Sequence, residues 1–434
     1  MMPFEGHGRK TKNCQRFRSV RPSCDVYSNY SNIPTCTMFR VGMTHNSSRI
    51  KGDSHPPHQF NSQQHLFPTQ TTAMSKPTVL VTGSAGHLGT ALMLALPDLG
   101  YTPIGIDIKA GPTTTHVGSI TDTTFLASVF TTHQPAHVIH AATLHKPHVD
   151  SHTKNDFIQT NIAGTLALLE AATTPNPPQE EERTVKSFIF ISTTSAFGSA
   201  LSPAPGQPAS WITESTPTPR PKNIYGTTKT AAEDLCHLLH LQTALPTIIL
   251  RTSRFFPEED DDDARRAAVA GGGDNLKVLE LAYRRVDIAD VVSACVCALR
   301  KGADAAEGKE GGVSWGKYVV SGPTPFRRED GVLRGLNGGD AEGVLRAAVP
   351  GVGEVFEGMG WSFLGRVDRV YDSGKAVREL GWEPEYTFEK AVARVARGEY
   401  WGSELALRVG KLGYHAVPTG VYTTREETGG VSSS

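Results

Sequence analysis

Residues 78–89 read Thr-Val-Leu-Val-Thr-Gly-Ser-Ala-Gly-His-Leu-Gly, and Thr90-Ala-Leu-Met-Leu-Ala-Leu96 follows. The run from Val79 to Thr82 predicts a buried strand, and the stretch after Gly89 predicts a helix. Strand, glycine turn and helix in immediate succession restrict the chain to a small set of α/β folds. Gly83 allows a sharp turn, Gly86 a close approach of backbone to a pyrophosphate, and Gly89 close packing of helix on strand. The helix N terminus then faces the phosphates. His87 and Leu88, inside the turn, join the candidate cofactor-binding residues. The spacing is GxxGxxG rather than GxGxxG, and alone it is a weak signal. The downstream chain decides its meaning.

Strand and helix patterns alternate from this point, which predicts βαβ units and a parallel sheet. Strands are expected at 103–107, near 116–117, and at 137–140, 188–191, 247–250 and 315–320. Helices are expected through 125–130, over about 150–173, from 225 to about 241, and at 287–299, 339–348, 373–380 and 387–397. Asp107 ends the second strand, 24 residues after Gly83. A carboxylate there accepts bonds from ribose hydroxyls and repels a 2′-phosphate, favouring NAD over NADP. Lys109 nearby weakens that preference.

The chain has 434 residues, with 43 Lys and Arg against 44 Asp and Glu, so no basic footprint for nucleic acid stands out. No apolar run approaches the ~18 residues that span a membrane. The six cysteines form no CxxC pair, which fits reduced thiols and a cytoplasmic protein. Residues 1–74 carry only three acids and no apolar periodicity, and are expected to be a disordered extension. A mitochondrial leader is the second reading of that segment. A cofactor-binding domain is expected over 75–256, with the 287–300 helix packing back on it. A smaller substrate-binding region is expected over 257–414 and a loose tail over 415–434. The acidic run Glu258 to Asp263 reads as a solvated loop or lid.

Tyr225 and Lys229 form Tyr-x-x-x-Lys at a helix start, and i,i+4 spacing puts both on one face. An ammonium beside a phenol lowers its pKa and suits it for proton exchange with a substrate hydroxyl. The preceding strand ends in Ser192-Thr-Thr-Ser195, which offers a hydroxyl to orient the substrate oxygen.

These stretches together resemble the NAD-dependent epimerase/dehydratase family, of the extended short-chain dehydrogenase/reductase type. The resemblance rests on Thr82–Gly89, Asp107, Asp122, His140-Ala-Ala142, Asn161-Ile-Ala-Gly-Thr165, Ile191–Gly198, Tyr225-Gly-Thr-Thr-Lys229 and Leu250-Arg251. Arg285-Val-Asp287 and Leu380-Gly-Trp-Glu-Pro384 resemble later parts of the pattern. It implies a Rossmann-type doubly wound sheet with a smaller C-terminal α/β region. It implies catalytic roles for Thr193, Tyr225 and Lys229. Gly83, Gly86, His87, Leu88, Gly89, Asp107, Asp122, Ala141, Ala142 and Asn161 would hold NAD, together with Tyr225 and Lys229. A homodimer built on the helices around 151–173 and 225–241 is implied by the resemblance alone.

Departures from the family pattern bear on the substrate. Dehydratases of the family carry Asp and Glu directly after the catalytic hydroxyl residue; Thr194 and Ser195 stand there. Epimerases usually show an Asn soon after the Leu-Arg pair that is Leu250-Arg251 here; Arg254 falls near that position, and its guanidinium could clamp a phosphate or pair with the acidic run. Arg285 and His145 are further substrate candidates, the latter within a group of six histidines between 133 and 152 whose spacing does not make a metal site. The expected function is NAD-dependent hydride transfer on a sugar or nucleotide sugar, as in UDP-glucose 4-epimerase. A dehydrogenase or reductase of another hydroxyl substrate is the alternative, and a non-catalytic NAD-binding regulator the third reading.

Overall fold

A computed structural model of the chain describes residues 76–175, 184–204, 206–218, 220–258 and 266–413. The expected N-terminal extension and C-terminal tail lie outside the described residues. Strand β1 (Thr78–Thr82) leads into helix α1 (His87–Ala95), which begins within the glycine turn with Gly86 as N-cap. Then follow β2 (Thr102–Asp107), β3 (His116–Val117), α2 (Thr123–His133) and β4 (His137–His140). Seven strands, including β5 (Ser187–Thr193), β7 (Thr247–Thr252) and β8 (Trp315–Val320), form a parallel sheet ordered β3-β2-β1-β4-β5-β7-β8. Residues of β4, β5 and β7 are buried throughout, as strands covered on both faces must be.

Leu88, Ala91 and Leu92 of α1 share one core cluster with Val291, Val292 and Cys295. The latter belong to a helix spanning Ile288–Ala306. Leu126 and Val129 of α2 join Leu168, Leu169, Ala232 and Cys236 in a separate cluster that also takes in Leu80, Val138 and Phe190 of the sheet. The chain thus winds both ways from β1, and the direction reverses between β1 and β4. Open α/β sheets bind ligands at the carboxyl edge beside that reversal.

The single helix expected over 150–173 is instead a short 3₁₀ turn (Lys146–Asp150), α3 (Lys154–Ile158), a π-turn (Gln159–Ala163) and α4 (Gly164–Thr173). Asn161 sits within the π-turn, where one extra residue re-aims the side chain. The segment 199–222, expected as loop, contains β6 (Ser210–Ile212), which pairs in parallel with β9 (Arg369–Tyr371). Three-residue strands carry no readable period, and their pairing joins segments about 160 residues apart. Helix α5 spans Ile224–Thr243. Past β7 the described helices are α6 (Gly272–Leu281), α7 (Ile288–Ala306), α8 (Asp330–Gly338), α9 (Ala341–Ala348), α10 (Val352–Met359), α11 (Phe388–Val395) and α12 (Glu404–Val409). The helix expected at 373–380 is mainly a π-turn over Ala376–Leu380. β8 and α7 lie beyond residue 256 in sequence but belong to the main sheet and its packing. Among the described residues no helix is long and apolar enough to cross a membrane.

Candidate active site

A cavity of about 1010 Å³ follows the carboxyl edge of the sheet, and residues at the ends of β2, β1, β4, β5 and β7 line it in that order. Its size exceeds what one small ligand fills and suits a cofactor and a substrate side by side.

The wall at β1 is a cradle made by missing side chains. Gly83 has φ +72°, and a Cβ there would lie 2.8 Å from the backbone of Ala142. A Cβ on Gly89 would lie 2.0 Å from the Gly83 carbonyl oxygen. The Gly86 N–H donates to that same carbonyl at 3.1 Å, which closes the turn. At the end of β2, Asp107 accepts from the Ala85 N–H at 3.1 Å and from the Lys109 N–H at 2.9 Å. Its carboxylate is thereby fixed at the rim beside the glycine turn, and Asp107 lines the cavity. His87, Leu88, Ala141 and Ala142 line it as well. This cradle, a helix N terminus and a held carboxylate fit a dinucleotide.

Two residues expected to touch the cofactor are occupied elsewhere. Asp122 is exposed and caps α2 by accepting from the Phe125 N–H at 3.0 Å; Ser119 and Ile120 line the cavity in its place. Asn161 is buried outside the lining. Its amide donates to Leu144 O (2.8 Å) and to Thr228 Oγ1 (3.0 Å), and its oxygen accepts from Leu144 N–H and the Thr143 hydroxyl. It ties the loop after β4 to α5 and so sets the cavity wall from behind.

Thr193, the last residue of β5, and Tyr225, in the first turn of α5, both line the cavity. Asn223 caps α5 through the Gly226 N–H at 2.9 Å and fixes the height at which Tyr225 enters. Burial pushes the Tyr225 phenol up to about 12, against a downward pull from Thr193. The depression expected from Lys229 is not seen. Lys229 is itself buried, which brings its pKa down to about 7, with Cys236 and Glu233 opposing. Its ammonium lies 3.8 Å from the centroid of the Phe190 ring, behind the cavity lining rather than in it.

Below Lys229, Glu233 gathers a buried charge network. One carboxylate oxygen accepts from Ser192 Oγ (2.6 Å) and Arg251 Nε (2.9 Å), the other from Arg251 Nη2 (2.6 Å) and Lys317 Nζ (3.0 Å). Burial raises the Glu233 pKa, but these cations outweigh it and the net shift is downward. The network joins β5, β7, β8 and α5 directly behind Thr193.

The wall past β7 is basic. Lys146, Lys222, Arg254, Arg284 and Arg369 line it. Lys222 has its pKa lowered by burial and then by the nearby Arg369 and Lys146, with Asp368 opposing. Glu280 is buried among Arg284, Arg285 and Arg254, which hold its carboxyl well below the usual range despite burial. Arg285, a substrate candidate, does not line the cavity: its Nε and Nη2 bond Glu280 and its Nη1 donates to Phe256 O at 2.9 Å. A fully buried guanidinium in those bonds is a structural tie. Arg254 does line the cavity, and its backbone bridges to Arg285.

His145 lines the cavity with His148 and His152, their rings meeting edge to face in series at centroid distances of 4.5 and 5.1 Å. His140 bonds Thr82 and Thr165 through its two ring nitrogens, at 2.7 and 2.9 Å, and burial keeps it neutral. No group of three metal-ligating side chains occurs among the described residues. Glu258, expected in solvent, is instead buried and paired with His87 at 2.8 Å; residues 259–263 of the acidic run lie outside the described residues. Lys222, Arg369, Leu412 and Gly413 also line the cavity without having been singled out from sequence. Lys222, three residues before Tyr225, was within reach of a motif argument; Arg369 depends on the β6–β9 pairing and was not.

The sequence profile of the NAD dependent epimerase/dehydratase family matches residues 79–310. The chain belongs to that family. It is 29% identical over 187 residues to a UDP-glucose 4-epimerase of Rhizobium leguminosarum bv. trifolii, covering 41% of this chain and 52% of the relative. A dTDP-glucose 4,6-dehydratase of Xanthomonas campestris pv. campestris (strain B100) is 28% identical over 349 residues, covering 73% of this chain and 91% of the relative. The chain spans about half the length of the first curated relatives it matches. A solved UDP-glucose 4-epimerase of Thermotoga maritima with UDP-glucose is 22% identical, covering 74% of this chain and 97% of that one, with a TM-score of 0.49.

Proposed function

We propose that the chain is an NAD-dependent epimerase of a nucleotide sugar, with Tyr225 as acid/base, Thr193 as the hydroxyl that holds the reacting oxygen and Lys229 as their electrostatic partner. The observation that supports this most is that Thr193 and Tyr225 line one cavity together, between the glycine cradle and the basic wall. Gly83, Gly86 and Gly89 would hold the pyrophosphate of NAD and Asp107 the adenosine ribose. Bound NAD would supply the hydride acceptor. The protein's part is to hold the substrate hydroxyl against Thr193 and to take its proton on Tyr225. To accept that proton Tyr225 must start as the phenolate, a form that the Lys229 ammonium would favour. Return of the proton from Tyr225 to the substrate oxygen would complete an epimerisation.

The basic wall favours an anionic substrate. A diphosphate is matched by guanidinium groups that bind two oxygens at once, and Arg254 is placed for that role. His145 belongs to the same wall and contacts the sugar in this reading. Although the Xanthomonas relative is a dehydratase, water elimination needs an acid and a base beyond the hydride-transfer pair. Asp107 is the sole carboxylate among the described lining residues, and it lies at the far end.

The test incubates purified protein with NAD and a panel of UDP- and GDP-sugars. Isomerised sugar without net NADH is expected. Stoichiometric NADH would make the chain a dehydrogenase, and failure to bind NAD would end the proposal.

A further inference from the structure

Glu258 joins three segments that are distant in sequence. Its Oε1 lies 2.8 Å from His87 Nε2, with the two side chains 0% and 4% exposed. The same oxygen accepts from the Leu412 N–H at 3.2 Å and the Gly413 N–H at 3.3 Å. Leu412 N also lies 3.2 Å from His87 Nε2. One ring nitrogen cannot donate to a carboxylate and accept an amide proton at once, so Glu258 is the hub that all three donors share.

His87 is the first residue of α1, at the mouth of the glycine cradle, and His87, Leu412 and Gly413 all line the cavity. The C-terminal segment is anchored on its own account. Ser403 donates from its N–H and hydroxyl to Asp287 at 2.9 and 2.6 Å. Leu405, Ala406, Val409 and Leu412 pack against the cluster that contains Leu88 and Leu92 of α1. The amides of 412 and 413 point to Glu258 and so are not phosphate ligands; they latch the segment in place.

We propose that Glu258, His87 and residues 411–413 form a clasp beside the N terminus of α1 that slows release of a bound dinucleotide. The inference rests on the NAD-dependent reading above. A pyrophosphate held at the α1 N terminus would have His87 beside it, in the cavity that Leu412 and Gly413 also line. In this proposal its departure is slowed while the Leu412 and Gly413 amides stay on Glu258. An epimerase uses one cofactor molecule for both hydride transfers, so slow release keeps the half-reactions coupled.

The test loads the full-length protein with NADH and follows loss of its bound fluorescence on mixing with excess NAD. Glu258→Gln removes the charge that gathers the three donors, and Leu412→Ala loosens the apolar anchor. Each is expected to raise the dissociation rate about tenfold or more with little change in association, as is usual when affinity is altered within one site. Leu412→Ala decides the matter if Glu258→Gln does not fold. Rates within twofold of wild type in a folded variant would overturn the clasp and leave the epimerase reading standing. A wild-type protein that binds neither NADH nor NAD would overturn both.

Discussion

The two halves of the cavity are built from different physics. The cofactor half is defined by what is absent: no Cβ fits at Gly83 or Gly89, the glycine turn runs directly from β1 into α1, and the one distant contact is the Ala142 backbone after β4. The substrate half is defined by charge. Arg254, Arg284 and Arg285 surround Glu280, Arg251 and Lys317 surround Glu233, and the partners come from separate elements, up to 84 residues apart between Glu233 and Lys317. Steric cradles are written locally in sequence. Buried charge clusters are written in the topology, since burial is tolerable only where distant partners converge.

The comparison breaks most sharply at the charged half. Glu233→Ala leaves Arg251 and Lys317 around an empty site, and breaking a buried pair in this way costs about 3–5 kcal/mol. Chemical denaturation should show that loss, with Glu233→Gln intermediate. The steric half should break by addition instead. Gly89→Ala places a methyl 2.0 Å from the Gly83 carbonyl, and overpacking of this kind costs about 1–3 kcal/mol. Calorimetry should then find NAD affinity reduced about 10–100-fold, with UDP binding little changed. Arg254→Ala should do the reverse at a smaller scale, raising KM for a nucleotide sugar about tenfold while NAD affinity stays put.

The smallest expected effect concerns pH. His137 is brought down to about 4, chiefly by burial, and its Nδ1 meets Ser187 Oγ at 2.9 Å. A folded-state pKa below the unfolded value of 6.5 means the unfolded chain takes the proton more readily. Stability is therefore full above pH 6.5 and is lost as pH falls toward about 4. Melting curves should show a loss on the order of 1 kcal/mol from this residue by pH 5, reduced in His137→Gln.

The same division explains what the sequence disclosed. The β1–α1 turn, Asp107, Thr193 and Tyr225 were legible because each follows a strand end or opens a helix within a short pattern. Asp122 and Asn161 lie outside the cavity lining because Asp122 caps α2 and Asn161 bonds Leu144 and Thr228, contacts that no short pattern in the sequence specifies. Arg284 and Arg285 could not be told apart from sequence, and only the packing around Glu280 puts one in the wall and the other behind it. Glu258 looked like the start of a solvated run. Its burial depends on His87, 171 positions earlier, and on the amides of Leu412 and Gly413.

The central claim is that Tyr225 moves the proton while hydride passes to NAD. It is tested most directly by absorbance at the reduced-nicotinamide band when a UDP-sugar that the wild-type protein converts is mixed with NAD-loaded enzyme, wild type beside Tyr225→Phe. The account predicts a transient band in the wild type and a rate lower on the order of 10²–10⁴-fold in the variant, with NAD still bound. Conversion at the wild-type rate in Tyr225→Phe, or conversion with no reduced intermediate, would contradict it.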